Sequence, residues 1–224
     1  MSISANNPAQ DNSSRLSRIF EAKRVLFIGA HPDDIEFYCG GLVHMLGKNG
    51  TQITFAIATR GGKGHNGWMK KRLEKLRTTH QFRSAAILGG VDVVFCDYPD
   101  KSLASHIDAY ASDLKTLIKS TDPDIIFSWD PDYIYNPHPD HQASADAGAL
   151  ASAGRHIFYY GTREPDLWVG FDEDVYSVKL KSLRAHRTET PWYYWLLIRG
   201  AFIKKLIGEG AKVSRPYAET LRSY

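Results

Sequence analysis

A chain of 224 residues is long enough to bury one sizeable core, and its 43% apolar and 24% charged residues are ordinary for a globular protein. This composition excludes an intrinsically disordered chain and a collagen-like one. The formal net charge of +3 is too small to produce a strong electrostatic field, so nucleic acid is not an expected partner.

Apolar runs and helical patterns alternate after a polar N-terminal segment. Residues 1–22 are predicted to be a flexible tail, with a short lead-in helix over residues 16–22. Compact apolar runs that predict buried parallel strands cover residues 24–29, 52–58, 91–96 and 124–128. Helical patterns follow these runs, at residues 34–47, 68–88, 107–119 and 141–153. The alternation predicts an α/β fold, Rossmann-like and doubly wound, with a mostly parallel sheet and helices on both faces.

Beyond residue 160 the pattern is less regular. Residues 167–170 and 175–178 are predicted as short strands, and residues 179–187 as a helix. Residues 191–207, rich in Trp and Tyr, predict an amphipathic helix interrupted at Gly200. This aromatic segment fits a helix docked on the sheet, a contact in a homo-oligomer, an interfacial helix at a membrane, or a lid over an apolar part of a substrate.

The cellular setting follows from what the chain lacks. Cys39 and Cys96 cannot form a disulfide framework and indicate a reducing compartment. No apolar run approaches the ~18 residues that a membrane span needs, and the N-terminal segment lacks the apolar core of a secretory signal. We therefore expect a cytoplasmic location and no membrane association.

The first predicted strand leads directly into residues 30–36 (AHPDDIE), where a nucleotide-binding fold would carry a glycine fingerprint. Ligands of open α/β sheets bind outside the carboxyl ends of the strands. His31 and Asp34 are metal-ligand types that can converge on one point at a helix N-terminus. Asp33 then points elsewhere, toward the group that the metal activates. The alternative is that Asp33 or Asp34 only caps the helix.

A second cluster of the same kind, His138-Pro-Asp-His141, follows the fourth predicted strand. One such histidine pair is more often exposed or capping than metal-binding. Two His-Pro-Asp clusters at the carboxyl ends of two parallel strands predict a shared metal site. Imidazole and carboxylate ligands suit Zn²⁺, with Fe²⁺, Co²⁺ and Mn²⁺ as alternatives. Three protein ligands and one open position are typical of catalytic zinc.

With these two clusters and Cys39-Gly40-Gly41, the chain resembles the PIG-L/LmbE-like de-N-acetylases, zinc-dependent deacetylases of N-acetylglucosaminyl conjugates. Weaker landmarks lie at residues 88–89, 181–187 and 217–219, so the resemblance covers residues 23–222. It implies one deacetylase domain over residues 23–224. It also implies a small N-acetylated amino sugar conjugate as substrate, whose acetyl group is removed by attack of a metal-bound water.

The resemblance implies a role for each residue of the two clusters. The metal ligands would be His31, Asp34 and His141. Asp33 would be the general base acting on the metal-bound water. His138 would be the protonated group that stabilises the tetrahedral intermediate and helps the amine leave, and Asp140 would orient His138 or tune its charge.

The loop after the second strand departs from the family pattern. Gly62 and Lys63 stand where the family often has a glutamate, and His80 stands where it often has another, after Arg77. These changes affect the sugar contacts rather than the metal centre. The candidate substrate-binding residues are Arg60, Lys63, His65 and His186. In the alternative interpretation the glycine-rich loop is only an exposed surface loop, and His186 only orders a loop.

Two other functions compete with sugar deacetylation. One is a metal hydrolase of a non-sugar amide or ester, and the other is a non-catalytic protein that binds a metal or a sugar. A binding protein needs neither Asp33 nor His138, which favours an enzyme.

Overall fold

A seven-stranded mixed sheet forms the middle layer of the protein. The computed structural model describes residues 8–63, 69–189 and 191–224. The strands are β1 (Arg24–Gly29), β2 (Gln52–Thr59), β3 (Asp92–Tyr98), β4 (Ile125–Trp129), β5 (Ile157–Tyr160), β6 (Leu167–Phe171) and β7 (Tyr217–Ser223). Their order is β3-β2-β1-β4-β5-β7-β6. The first five pair in parallel, and β7 runs antiparallel to β5 and β6, which confirms the predicted fold class.

Helices cover both faces of the sheet. They are α1 (Pro8–Glu21), α2 (Asp34–Lys48), α3 (Lys70–Leu88), α4 (Ile107–Thr121), α5 (Pro139–Ala151), α6 (Glu173–Leu183) and α7 (Trp192–Ala211). Val25 and Phe27 of β1 pack into the core shared with α1, α2 and α3, whereas Leu26 and Ile28 pack into the core shared with α4 and α5. Successive strand residues point to opposite faces, so a strand covered on both sides is apolar throughout.

The N-terminal segment differs from the prediction, because helix α1 replaces the flexible tail from Pro8 onward. Ile19 is fully buried in the core, and Leu16 and Phe20 pack against the same cluster. These three residues have the spacing of one helical face, so their burial docks α1 on the sheet layer.

Helix α6 replaces the strand predicted at residues 175–178, and it ends earlier than the helix predicted at residues 179–187. Its buried positions are Val175, Tyr176, Lys179, Ser182 and Leu183, which have helical spacing. Two of these are polar, so the apolar periodicity that identifies a helix is hidden in the sequence. Strands β5 and β7 were not predicted either.

Helix α7 runs through Gly200 without the predicted interruption. Trp195, Phe202 and Leu206 are buried in a third apolar cluster with residues of β6 and α6, as expected for a docked helix. On its other side Leu197 is 79% exposed. Among the described residues, no helix combines the length and apolar character that crossing a bilayer requires.

A buried ion pair packs against the middle of α2. Nζ of Lys179 donates to Oε1 of Glu219 at 2.6 Å and to the backbone carbonyl of Phe37 at 2.7 Å. Both carboxylate oxygens of Glu219 accept from α2, from the N–H groups of Gly41 at 2.8 Å and Leu42 at 2.9 Å. A Cβ at Gly41 would lie 2.8 Å from the ring of Phe171 in β6, so only glycine permits this close packing. The pair fixes α2, whose first turn carries the motif carboxylates.

Arg222 of β7 holds the start of the loop after β4. Its Nε and Nη2 donate to the two carboxylate oxygens of Asp130 at 2.7 and 2.8 Å. Asp130 is fully buried, and its Oδ1 also accepts the backbone N–H groups of Asp132 and Tyr133. Burial disfavours the charge of Asp130, but Arg222 and the other donors outweigh this effect and hold its pKa below the usual 3.8.

We expect Arg222→Met to lower the free energy of unfolding by about 3 kcal/mol at neutral pH, because it leaves the buried Asp130 without its cation. The native pKa of Asp130 is depressed, so its stabilisation is complete above pH 3.8 and is lost as the pH falls through the lower native value. The stability difference between wild type and variant should therefore narrow below pH 3.8.

Urea unfolding from neutral to acidic pH measures this difference, with the exposed Arg163→Met as the control. A difference that stays constant across that pH range would contradict the assigned role of the pair.

Candidate metal centre

The two histidine clusters meet at one edge of the sheet. Strands β1 and β4 are adjacent and parallel, and their loops leave at the same carboxyl edge. The ring centroid of His31 lies 5.0 Å from that of His138 and 5.2 Å from that of His141. The clusters are therefore brought together as their positions in the sequence predicted.

Asp34 lies between His31 and His141. Its Oδ1 is 3.3 Å from Nε2 of His141, and its Oδ2 is 3.9 Å from Nδ1 of His31. Oδ2 also accepts the backbone N–H groups of Ala30 and His31, both at 2.9 Å, and the indole N–H of Trp129 at 3.3 Å. Burial opposes the charge of Asp34, but the two imidazoles and the His31 N–H outweigh it and hold its pKa well below its usual range.

The two imidazoles each have their second nitrogen occupied. Nε2 of His31 lies 3.3 Å from Oδ2 of Asp140, and Nδ1 of His141 lies 3.2 Å from the backbone carbonyl of Asn136. Metal-binding histidines commonly donate their second N–H to a carboxylate or a carbonyl, which orients the ring. The nitrogens left for a metal are Nδ1 of His31 and Nε2 of His141, and both face Asp34.

The donor atoms at this edge fit a divalent transition metal. Among the residues that the structure describes, two groups have ligand atoms within 4.8 Å of one another: His31, His138 and His141, and His31, Asp100 and Asp140. The predicted set of His31, Asp34 and His141 shares two histidines with the first group. Mixed imidazole and carboxylate donors are typical of zinc and of iron, cobalt and manganese sites.

The carboxylate of Asp140 faces His31, and its negative charge also acts to raise the pKa of the neighbouring His138, so its role of orienting or tuning His138 stays a prediction. Besides facing His31, its carboxylate accepts the backbone N–H groups of Lys101 at 2.6 Å and Leu103 at 3.1 Å. The contact with His138 is made by the backbone N–H of Asp140, not by its carboxylate. The carboxylate therefore orients a predicted metal ligand.

Sequence reasoning missed Asp100, which shares His31 with Asp140. Its Oδ1 lies 3.3 Å from Nε2 of His31, and its Oδ2 accepts the backbone N–H of Lys63 at 2.6 Å. Burial lowers the pKa of His31, but the hydrogen bonds to Asp100 and Asp140 outweigh this and raise that pKa to about 10. The signal in the sequence was the position of Asp100 just after the third parallel strand.

His138 occupies the N-cap of α5, where its Nδ1 accepts the backbone N–H of Asp140 at 3.2 Å. A ring nitrogen that accepts a hydrogen bond carries no proton, so this ring is neutral with its proton on Nε2. Burial and the charges of His31 and His141 lower the pKa of His138. In this geometry the ring offers its Nε2–H as a donor, and the protonated state predicted for His138 during the reaction stays a prediction.

Asp33 has a φ of 98°, a left-handed conformation that residues other than glycine rarely adopt. Its side chain makes no capping hydrogen bond, and Asp34 bonds to N–H groups that precede the helix, so the capping alternative is wrong. Burial raises the pKa of Asp33 to about 7, against the charge of Arg77, whose Nη2 lies 3.6 Å from Oδ1. Such strain at a polar cleft is typical of functional residues.

Arg77, which the sequence marked only as part of a departure from the family pattern, holds two loops together. Its buried guanidinium donates to the carbonyl of Gly61 at 3.1 Å and to the carbonyl of Pro32 at 3.0 Å. Gly61 has a φ of 64°, and a Cβ there would overlap with the guanidinium. The pair of glycines after β2 was the signal for this contact.

The predicted substrate contact Arg60 is engaged by the protein itself. Its guanidinium pairs with Asp97, donates to the hydroxyl of Thr78 at 2.9 Å and lies 4.4 Å from the ring centroid of Phe95. These contacts hold it at the end of β3.

The other predicted substrate contacts are Lys63, His65 and His186, and each has a different position. Lys63 meets the site through its backbone N–H, and His65 lies outside the described residues. His186 is 1% exposed, with Nε2 3.3 Å from Oε1 of the buried Glu36. It therefore offers no surface to a substrate and orders the interior instead.

Comparison with known proteins identifies the family. A family model described as PIG-L, GlcNAc-PI de-N-acetylase, matches residues 26–152, more than half of the 224 residues. The chain belongs to the PIG-L family. The matched stretch contains both histidine clusters, so the PIG-L resemblance stated from the sequence is confirmed.

The relatives of this PIG-L protein include named deacetylases. The uncharacterized deacetylase YaiS of Escherichia coli (strain K12) is 27% identical over 79% of this chain and 97% of its own length. Diacetylchitobiose deacetylase of Thermococcus kodakarensis is 27% identical over 90% of this chain and 83% of its own. The structure of N,N'-diacetylchitobiose deacetylase from Pyrococcus horikoshii superposes with a TM-score of 0.82 at 24% identity, covering 100% of this chain and 95% of that one.

We expect His141→Ala to reduce the metal content of the purified protein to a small fraction of the wild-type content, because it removes one imidazole donor. Elemental analysis of matched preparations measures this, with the exposed His156→Ala as the control. Full metal content in His141→Ala would remove His141 from the ligand set.

We expect Asp140→Asn to weaken metal binding by about 10–100-fold, because the amide no longer orients His31 as a charged acceptor. Competition with a chelator of known affinity measures the change. The exposed Asp108→Asn is the control. Unchanged affinity in Asp140→Asn would show that its contact with His31 is not needed for binding.

Proposed function

We propose that this PIG-L protein is a metal-dependent deacetylase that hydrolyses the acetyl amide of an N-acetylated amino sugar conjugate. The observation that carries the proposal is Asp34, held between the free nitrogens of His31 and His141, with Asp33 beside it. The relative from Thermococcus kodakarensis is a diacetylchitobiose deacetylase, which supports an N-acetylated sugar as the substrate class.

The proposed metal ligands are His31, Asp34 and His141, with Zn²⁺ as the first candidate and Fe²⁺, Co²⁺ and Mn²⁺ as alternatives. A divalent metal at such ligands polarises the amide carbonyl and lowers the pKa of water. The carboxylates of Asp140 and Asp100 hold the ring of His31 in position for this role. The backbone N–H groups of Ala30 and His31 do the same for Asp34.

Asp33 is the proposed general base. Its pKa of about 7, raised by burial, suits a group that takes a proton from water and later returns it to the leaving amine. Arg77 lies 3.6 Å from its carboxylate and fixes the loop that carries it. An amide nitrogen leaves only after protonation, so the same carboxyl group serves both halves of the reaction.

His138 is the proposed donor to the oxyanion of the tetrahedral intermediate. Its Nδ1 is occupied by the N–H of Asp140, so its Nε2–H is the group available for donation. A donor held by an N-cap does not need to reorganise as negative charge develops, which makes its stabilisation effective.

We expect Asp33→Asn to retain the metal but to reduce turnover by about 10²-fold or more, because the amide cannot accept a proton. Acetate release from N-acetylglucosamine conjugates, measured beside metal content, tests this. The exposed Asp108→Asn should match the wild type in both measurements. Wild-type turnover in Asp33→Asn would exclude Asp33 as the base.

The substrate class is tested by comparing N-acetylated sugar conjugates with simple N-acetyl amines and acetate esters. Faster acetate release from the sugars supports the proposal. Equal or faster cleavage of the simple amides or esters would favour a hydrolase of non-sugar substrates. No acetate release above a chelator-treated control would favour a binding protein.

A further inference from the structure

A cavity of about 840 Å³ opens between α3, α6 and α7, apart from the metal centre. None of the residues of the metal centre lines it. Its cationic lining residues are Arg83, Lys181, Arg184, Arg187 and Arg199. Its apolar lining includes Ile87, Trp195 and Leu196. Within the described parts of the chain, no acidic side chain lines this basic pocket.

The five cations of the basic pocket act together on its contents. A sphere with the volume of the pocket has a radius of about 6 Å, so a ligand at its centre lies within the Debye length of ~8 Å from the walls at physiological salt. Salt therefore screens the charges from such a ligand only in part, and their fields add inside the cavity.

The protein does not neutralise these charges itself. None of the five cations forms an ion pair with a carboxylate in the described residues. Glu189, the acidic residue that follows Arg187 most closely in the chain, is paired with Arg77, 3.2 Å away. The positive field of the pocket is therefore left for a ligand.

The helix dipole explains only part of the concentration of cations around the basic pocket. Lys181 lies in the last turn of α6 and Arg184 caps it, where the helix dipole favours cations. Arg83 lies on α3, Arg187 lies in the turn between α6 and α7, and Arg199 lies within α7. Three helices and one turn thus contribute cations to one cavity, and gathering like charges costs stability.

We propose that the basic pocket binds a ligand that carries a phosphate group next to an apolar moiety. Guanidinium groups donate paired hydrogen bonds that match phosphate oxygens, and the larger negative charge of a phosphate favours it over a monovalent carboxylate among five cations. Trp195, 7% exposed, and the half-exposed Leu196 form an apolar wall beside the cations. This binding is separate from the proposed deacetylation and does not depend on it.

The test compares wild type with Arg83→Ala/Lys181→Ala and, as a matched control, with Lys115→Ala/Lys119→Ala. Each double variant removes two exposed cations at helix positions where alanine is favourable, and the control pair lies on α4, on the opposite face of the sheet. Calorimetric titration with inorganic phosphate at constant ionic strength measures binding of a soluble ligand. Sedimentation with vesicles of equal parts phosphatidylglycerol and phosphatidylcholine measures binding of a lipid headgroup.

We expect the pocket variant to lose at least about tenfold in affinity in the arm where wild type binds, while the control keeps wild-type affinity. Loss in the phosphate arm identifies a soluble phosphorylated ligand, and loss in the vesicle arm alone identifies an acidic lipid. Acetate release by the pocket variant should remain at the wild-type rate, which separates this result from failure of the deacetylase proposal.

Three outcomes would overturn the proposal. The first is the absence of wild-type binding in both arms, and the second is an equal loss of affinity in the pocket and control variants. The third is that wild type binds in neither arm and the pocket variant alone changes its oligomeric mass. This third outcome would identify the face as a contact between copies of the chain.

Discussion

The carboxylate of Asp34 joins the two halves of the site. Its Oδ2 is held by backbone N–H groups at the end of β1 and by the indole of β4, and its Oδ1 faces the imidazole at the start of α5. A buried carboxylate needs such partners, because an unpaired charge in a low-dielectric interior is costly. Satisfying this one side chain therefore requires both loops to lie where a metal could be shared.

The rest of the fold keeps that carboxylate in place. The ion pair of Lys179 and Glu219 packs against the middle of α2, and Arg77 ties the loop before α2 to the loop after β2. These contacts offset the strain of the left-handed backbone at Asp33. At the start of an isolated helix that backbone would relax to an ordinary conformation. The buried polar residues away from the site thus preserve geometry rather than perform chemistry.

Helix α6 packs against α2, which carries the site carboxylates, and also lines the basic pocket. Its inward residue Lys179 fixes the helix that carries the site carboxylates, whereas Lys181 and Arg184 turn outward to the basic pocket. A helix presents residues two positions apart on different faces, so one short segment serves both regions. The support of α2 and the proposed phosphate site therefore use neighbouring residues of one helix that face different surroundings.

The sequence alone determined the α/β class, the helix and strand bounds between residues 24 and 153 to within two residues, and the meeting of the two histidine clusters. These follow from local apolar periodicity and from the rule that parallel strands end at one edge. Only the tertiary structure decided that Asp140 serves His31, that His138 is an acceptor at an N-cap, and that α6 is a helix with a buried lysine. Those outcomes depend on which buried polar groups find one another across the fold, and residue order does not encode such long-range pairing in any local pattern.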